Sequence, residues 1–149
     1  MGSEITLVQA ITLAVAVLGV VLGVINTWHG LDRSRVKLRV NPVQVKPIGA
    51  APTHVRFGIE VMNLSAFPVT IADVGFYHRR TDKRTIYTSP FFIDGGSWPR
   101  RLEPRSSVTV YGPRPVNLPG HPLTAAYAKT ECGHVKTGTS PALKQLAET

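Results

Sequence analysis

Residues 5–28, ITLVQAITLAVAVLGVVLGVINTW, run for twenty-four positions without an ionisable side chain. As a helix rising about 1.5 Å per residue they reach roughly 36 Å, more than the hydrocarbon thickness of about 30 Å. The segment therefore reads as a single transmembrane helix. Two other readings compete with it. A secretory signal peptide needs a basic leader, an apolar core of about 7–15 residues and a small-residue cleavage site, whereas this leader is Met-Gly-Ser-Glu and the apolar run is longer. A helix packed within a soluble protein shows a polar stripe toward water, and here Leu, Val, Ile and Ala occupy every face.

Charge divides the chain in two. It has 149 residues, with 17 Lys and Arg against 9 Asp and Glu for a net charge of +8, yet before Leu31 the only formally charged side chain is Glu4. The basic excess belongs to the remainder of the chain. Arg33, Arg35, Lys37 and Arg39 come directly after the apolar run, opposed only by Asp32. Lys and Arg close to a span stay on the cytoplasmic side, so the expected topology is a short tail outside and a cytoplasmic C-terminal domain. Trp28 suits the interface, and the basic side chains suit anionic headgroups. The single Cys132 permits no intrachain disulfide, in keeping with a reducing compartment. The expected organisation is a tail and helix over residues 1–30, a basic juxtamembrane linker over 31–37, a β domain over 38–138 and a C-terminal tail over 139–149.

Beyond the basic patch the pattern changes to short alternating segments. Val55, Phe57, Ile59 and Val61 alternate with Arg56, Gly58, Glu60 and Met62, the pattern of a strand with one face on a core. Val36, Leu38 and Val40 do the same, and the apolar phase then moves to Val43 and Val45 past Asn41-Pro42, which suggests a bend or bulge at the proline. Val69 and Ile71 give way to Val74 and Phe76 with a second phase change. Further strands are expected at 84–88, 107–111, 123–130 and 134–137. About seven short strands without intervening helices predict an all-β antiparallel sandwich, immunoglobulin-like or fibronectin-like; a small β-barrel is the alternative. Asn63 and Ser65 are placed to hydrogen-bond local backbone in the turn before Pro68. The proline-rich residues 112–122 predict a constrained connection, and residues 141–148 a short helix that caps the sandwich or docks on a partner.

Catalytic and metal-binding patterns are not evident, and neither an enzyme nor a cofactor is expected. Cys132 and His134 are the nearest approach to a nucleophile–base pair, without a third group. His29, His54, His78, His121 and His134 are scattered without metal-ligand spacing. The sequence DGGSW, residues 94–98, has glycines but no following lysine or helix, so it reads as a turn and not as a phosphate loop. The basic side chains carry the functional signal of the domain. Arg79, Arg80, Lys83 and Arg84 flank an expected hairpin tip, Arg100, Arg101 and Arg105 crowd another loop, and Arg114 lies in the proline-rich stretch. If these loops share one end of the sandwich they form a positive surface for anionic lipid, together with Arg33, Arg35 and Lys37. Nucleic acid is not expected, because no recognition helix or RNP-type aromatic motif accompanies the charge.

Within the apolar run, GVVLGVINT places Gly19, Gly23 and Thr27 four residues apart on one helix face, where glycines let a second backbone approach. Gly19-Val20, Gly23-Val24 and Thr27 resemble the dimerisation motif of the glycophorin A transmembrane helix, a likeness of nine residues that implies helix self-association and nothing about the domain. Ala16, Gly19, Val20, Gly23, Val24 and Thr27 are thus the expected helix–helix contacts. Thr12, Ala16, Gly19, Gly23 and Asn26 also follow a four-three spacing, suited to a left-handed crossing. The sequence reads as a single-pass, non-catalytic assembly or adaptor module presenting a β-sandwich to a protein or anionic-lipid partner, with a homo-oligomer through the helix. An envelope or adhesion module on the outer side of the membrane is the alternative, and a membrane-tethered enzyme ranks last.

Overall fold

The computed structural model describes residues 6–46, 56–81 and 83–148. Ile5, His54 and Val55, which figure in the sequence reading, lie outside the described residues. The chain divides into two compact units, residues 1–35 and 36–149.

The first unit is one helix, α1, Leu7–Arg33. At its start the Thr6 N–H donates to Gln9 Oε1 at 3.1 Å, satisfying one of the amides that a helix leaves open. At its end the Ser34 N–H and hydroxyl donate to the carbonyls of Gly30 and Leu31. The helix continues through Leu31, Asp32 and Arg33, since nothing between Trp28 and Ser34 interrupts it except Gly30, which a helix tolerates. Its 27 residues make it long and apolar enough to cross a membrane.

Among the described residues the second unit is a mostly antiparallel β domain of eight strands in two sheets, with a short helix after them. The strands are β1 (Leu38–Gln44), β2 (Phe57–Asn63), β3 (Val69–His78), β4 (Arg84–Ile86), β5 (Arg100–Leu102), β6 (Ser107–Gly112), β7 (Leu123–Thr130) and β8 (Val135–Gly138), and the helix is α2 (Pro141–Ala147). One sheet has the order β1-β2-β6 and the other β4-β3-β7-β8, with β5 also paired to β3. β3 is long enough to seat β5 along its first residues and β4 along its last, Val69 facing Leu102 and Tyr77 facing Arg84.

Side chains from both sheets meet between them, as expected for a sandwich. Phe57, Ile59 and Val61 of β2 and Val110 of β6 are fully buried against Ile71, Val74 and Phe76 of β3 and Ala126 and Ala128 of β7. Phe57 and Phe76 cross the interface edge to face at 5.7 Å, and Phe76 meets Tyr87 at 5.5 Å, a geometry that adds about 0.5–1.5 kcal/mol per pair to simple burial. Gly138 of β8 lies against β1 so closely that a Cβ there would overlap the Val40 carbonyl. Leu143 and Leu146 of α2 enter the same core, and the Asn117 amide donates to the carbonyls of Leu146 and Ala147. The C-terminal helix is therefore part of the domain.

The two phase changes seen in the sequence have different outcomes. The one in β3 is a bulge between Ile71 and Asp73, where the register to β7 shifts by one residue. The expected irregularity at Asn41-Pro42 is absent, because β1 pairs with β2 in unbroken register from Leu38↔Asn63 to Gln44↔Phe57. The reason lies in the parity of the ladder. Lys37 accepts from the Leu64 N–H at one end and the Val45 N–H donates to Arg56 at the other, so odd-numbered residues make the ladder bonds and the Pro42 nitrogen faces the outer edge. Pro42 then fills the core in phase, where the apolar pattern points instead to Val43 and Val45. β5 is a strand that the sequence does not announce, since three residues with two arginines carry no alternation.

Asn63 closes the end of the sandwich where the chain enters. Fully buried, it donates from its amide to the carbonyls of Phe67, Leu102 and Glu103, and its Oδ1 accepts from the Ser65 N–H at 2.9 Å. Ser65 Oγ in turn accepts from the Lys37 N–H at 2.8 Å. Replacing Asn63 with Ala strands several buried groups without partners, each costing about 1–3 kcal/mol. Asn63→Ala is expected to lower the unfolding free energy by about 2–4 kcal/mol in a denaturant titration, and a loss below about 0.5 kcal/mol would contradict this role.

Candidate functional site

Every residue from Leu7 to Leu31 is exposed. Turning successive residues by about 100° places Gln9, Thr12, Gly19, Gly23, Asn26, Thr27 and Gly30 within a sector of roughly 100°, with Ala16 among them. The two threonines bond back into the helix, Thr12 Oγ1 to the Val8 carbonyl at 2.8 Å and Thr27 Oγ1 to the Gly23 carbonyl at 2.9 Å. Their hydroxyls are thereby satisfied in an apolar medium. Gly19 and Gly23 have open space where a side chain would stand. Val20, Gly23, Val24, Thr27, Trp28 and Leu31 line a shallow hollow on the same side. Ala16, Gly19, Val20, Gly23, Val24 and Thr27 thus form one continuous strip.

The basic side chains of the domain do not form one surface. Arg79, Arg80, Lys83 and Arg84 surround the β3–β4 turn at the His78 end of β3. Arg100 and Arg101 face Ile71 and Thr70 near its other end, and Arg105 lies in the turn from β5 to β6 there. About nine residues of strand, on the order of 25–30 Å, separate the two sets. The condition that these loops share one end is not met, because β4 and β5 use the same edge of β3 at opposite ends. Three of these arginines also meet carboxylates: Arg84 with Asp73 at 3.7 Å, Arg101 with Glu103 at 3.1 Å, and Arg100 with Asp94. Arg33 ends α1, Arg35 and Lys37 follow it, and all three are exposed.

The turn of residues 94–98 is held by the Gly96 N–H on Asp94 Oδ1, and Trp98 stacks on Phe92 at 5.8 Å against the core. That backbone bond, with the Arg100 guanidinium beside it, holds the Asp94 carboxyl below its usual range. The Cys132 sulfur lies 3.1 Å from Thr130 Oγ1, which also accepts from the His134 N–H. The Thr130 hydroxyl and the His134 backbone hold the thiol below its usual range. Among the described residues the His134 imidazole makes no hydrogen bond to Cys132. His78 is buried with both ring nitrogens engaged, by the His121 carbonyl and Thr85 Oγ1. Among the described residues no group of three or more His, Cys, Asp and Glu is placed to hold a metal ion.

The β3 bulge produces a polar cluster on the outer face of its sheet. It turns Asp73 outward, where Oδ2 accepts from the Tyr127 hydroxyl at 3.0 Å. Tyr77 packs on the Tyr127 ring at 4.7 Å and the Arg84 guanidinium lies 5.6 Å from its centroid, so Tyr127 is fully buried although it points away from the core. Asp73 Oδ1 is buried without a hydrogen-bond partner among the described residues.

A second feature was invisible in the sequence. A hollow of about 180 Å³ lies among Gln44, Val45, Lys46, Arg56, Phe57, Arg114 and Leu146. Its three cations come from the end of β1, the start of β2 and the segment after β6, far apart in the chain. The Arg56 peptide joins them, accepting from the Val45 N–H and donating to the Gly112 carbonyl. Gly112 leaves room for the Tyr87 ring, 2.7 Å from where a Cβ would stand, and Tyr87 donates to the Pro113 carbonyl at 2.9 Å. Only Arg114 of the three stood out in the sequence. Their partnership depends on strand pairing, which no local spacing reveals.

No protein-family model matches the chain, and no curated protein matches it.

Two buried phenols carry a pH signature. Burial raises Tyr127, with the Asp73 charge and hydrogen bond adding to it, and burial alone raises Tyr87. Both lie above the unfolded value of about 10, so their stabilisation is fully present below that pH and is lost as pH rises beyond it. Stability is expected to fall steeply above about pH 10. Tyr127→Phe is expected to be about 1–2 kcal/mol less stable at neutral pH but to lose less on going to about pH 11. Denaturant midpoints at the two pH values check this, and parallel losses would contradict it.

Proposed function

We propose that this chain is a single-pass membrane protein whose helix self-associates through its small-residue face and whose β domain is a non-catalytic assembly or binding module on the cytoplasmic side. The observation that carries the reading is the surface of α1. An apolar helix exposed on all sides requires hydrocarbon around it, and one whose glycines, threonines and amides gather in a single sector leaves room for a second backbone there. Arg33, Arg35, Lys37 and Arg39 follow directly on the span, which supports the cytoplasmic placement.

The strand order supports an immunoglobulin-like or fibronectin-like domain. With the three-residue β5 set aside, the first, second and fifth strands share one sheet and the third, fourth, sixth and seventh the other. This differs from a constant-type immunoglobulin sandwich only in the sheet that takes the fourth strand. Such domains serve mainly as recognition and assembly modules, an argument from fold alone. The partner we propose is a protein or an anionic lipid surface, with Arg33, Arg35 and Lys37 placed in sequence to meet headgroups.

In a membrane two-hybrid reporter, Gly19→Ile and Gly23→Ile are each expected to remove most of the self-association signal, equivalent to about 1–2 kcal/mol of helix contact. An unchanged signal would reduce the helix to an anchor. Alkaline phosphatase fused to the C-terminus is expected to be inactive, and activity there would place the domain on the outer side.

A further inference from the structure

We propose that the outer edge of β6 at residues 107–109 is where a second copy of the domain docks, the two β6 strands running antiparallel about a two-fold axis at Val108. The parity of the ladder leaves that edge open. The Asn63 N–H donates to the Ser106 carbonyl at one end of β6 and the Arg56 N–H to the Gly112 carbonyl at the other. Even-numbered residues of β6 therefore bond to β2, and odd-numbered ones face outward. Phe91 meets Tyr111 there and exchanges both backbone bonds with it, at 2.9 and 3.0 Å. The Gly95 N–H then bonds back to the Phe92 carbonyl, and the segment turns away. Among the described residues nothing takes the outward N–H and C=O groups of Ser107 and Thr109.

The other sheet edges carry devices that block strand addition, and this one does not. β1 turns the nitrogen of Pro42 outward and has Gly138 against its Val40 carbonyl. β4 and β5 are three residues long and contain arginines, and β8 carries Lys136. Residues 107–109 are Ser, Val and Thr, so two copies meet there without like charges. Val108 is only half-buried, whereas Val61 opposite it and Val110 beyond it are fully buried. A facing Val108 completes its burial. With the axis at Val108, Ser107 lies opposite Thr109 of the second copy, and the open groups of both residues on both copies all pair. Phe91 closes one end of the edge, so a long extended peptide runs into it. The second copy avoids that collision. Its residue opposite Tyr111 is Arg105, in the β5–β6 turn with φ 61°, where the chain has already left the strand direction. The contact is short, and holding both copies in one bilayer raises their effective concentration. To that extent it rests on the membrane reading of α1, but not on contact between the helices.

The test uses the full chain with Cys132→Ser, reconstituted in lipid bilayers and oxidised, with Ser107→Cys, Val108→Cys and Thr109→Cys made singly. Facing antiparallel residues that share no hydrogen bond have Cα atoms about 4.5 Å apart, within disulfide reach, whereas the two copies of residue 107, or of 109, stand about 8 Å apart. Dimers are expected to form more than about fivefold faster at Val108→Cys than at either neighbour. Ile93→Cys, at a site 77% exposed, gives the rate of random collision and is expected to be slower as well. Adding Thr109→Pro is expected to cut the Val108→Cys rate at least about fivefold, because it removes an outward N–H and spares the pairing with β2, as Pro42 does in β1. Ser107→Pro serves if Thr109→Pro lowers the melting temperature. With Gly19→Ile and Gly23→Ile added, Val108→Cys is expected to remain the fastest of these sites, which separates this contact from that of the helices. Retention of the chain in lipid through alkaline carbonate checks the membrane reading on its own. Equal rates at Val108→Cys and Ile93→Cys, a maximum at residue 107 or 109, or a rate unchanged by both prolines overturns the proposal.

Discussion

The carboxamide of Asn63 holds the two sheets of the domain together at the end where the chain enters it. Asn63 ends β2 in one sheet, and its donors reach Leu102 of β5, in the other, and the neighbouring Glu103 and Phe67 carbonyls. Its acceptor orders the turn at Ser65, and Ser65 in turn takes the Lys37 N–H just before β1. One buried side chain thus fixes the start of β1, the end of β2, the turn into β3 and the end of β5. In a buried setting these bonds are hard to exchange, because a group left unpaired there has no water to replace its partner.

The opposite end is basic. The segments that meet at the opposite end of the strands, after β1, before β2, after β3 and after β6, carry Lys46, Arg56, Arg79, Arg80 and Arg114. Tyr87 and Gly112 brace part of this end, and Leu143 and Leu146 of α2 close the core beside it. The charge of the chain is therefore partitioned. Arg84, Arg100 and Arg101 pair with carboxylates along the sheet edges, while Lys46, Arg56 and Arg114 gather around one hollow at the far end.

Much of the fold was legible from residue patterns with a local cause. The alternation of β2 exposes one face to a core at period two. The phase change around Asp73 marks a bulge, since an extra residue is the simplest way to turn the next side chain inward. Asn63 and Ser65 signal a turn because short polar side chains bond nearby backbone. Pro42 misled because a proline disrupts a strand only when its nitrogen faces the ladder, and that parity is set by the partner strand. β5 escaped because its pairing is supplied by β3. The candidate sites divide in the same way. The strip on α1 is written in one helical periodicity and could be read directly, whereas Lys46, Arg56 and Arg114 become neighbours only through the pairing of β1, β2 and β6. The sequence leaves open whether the two basic loops share an end for the same reason, and β3 holds them apart.

In the proposed assembly two copies of the chain meet on the small-residue face of α1. Cys132 is the only cysteine of the chain, so Cys132→Ser gives a background in which single cysteines can be placed along residues 15–28 and oxidised in native-like bilayers. Disulfide-linked dimers are expected to peak at Gly19, Gly23 and Thr27, with troughs at Val17, Val21 and Ile25. Cross-linking uniform around the helix, or strongest at Val17, Val21 and Ile25, would contradict that assembly.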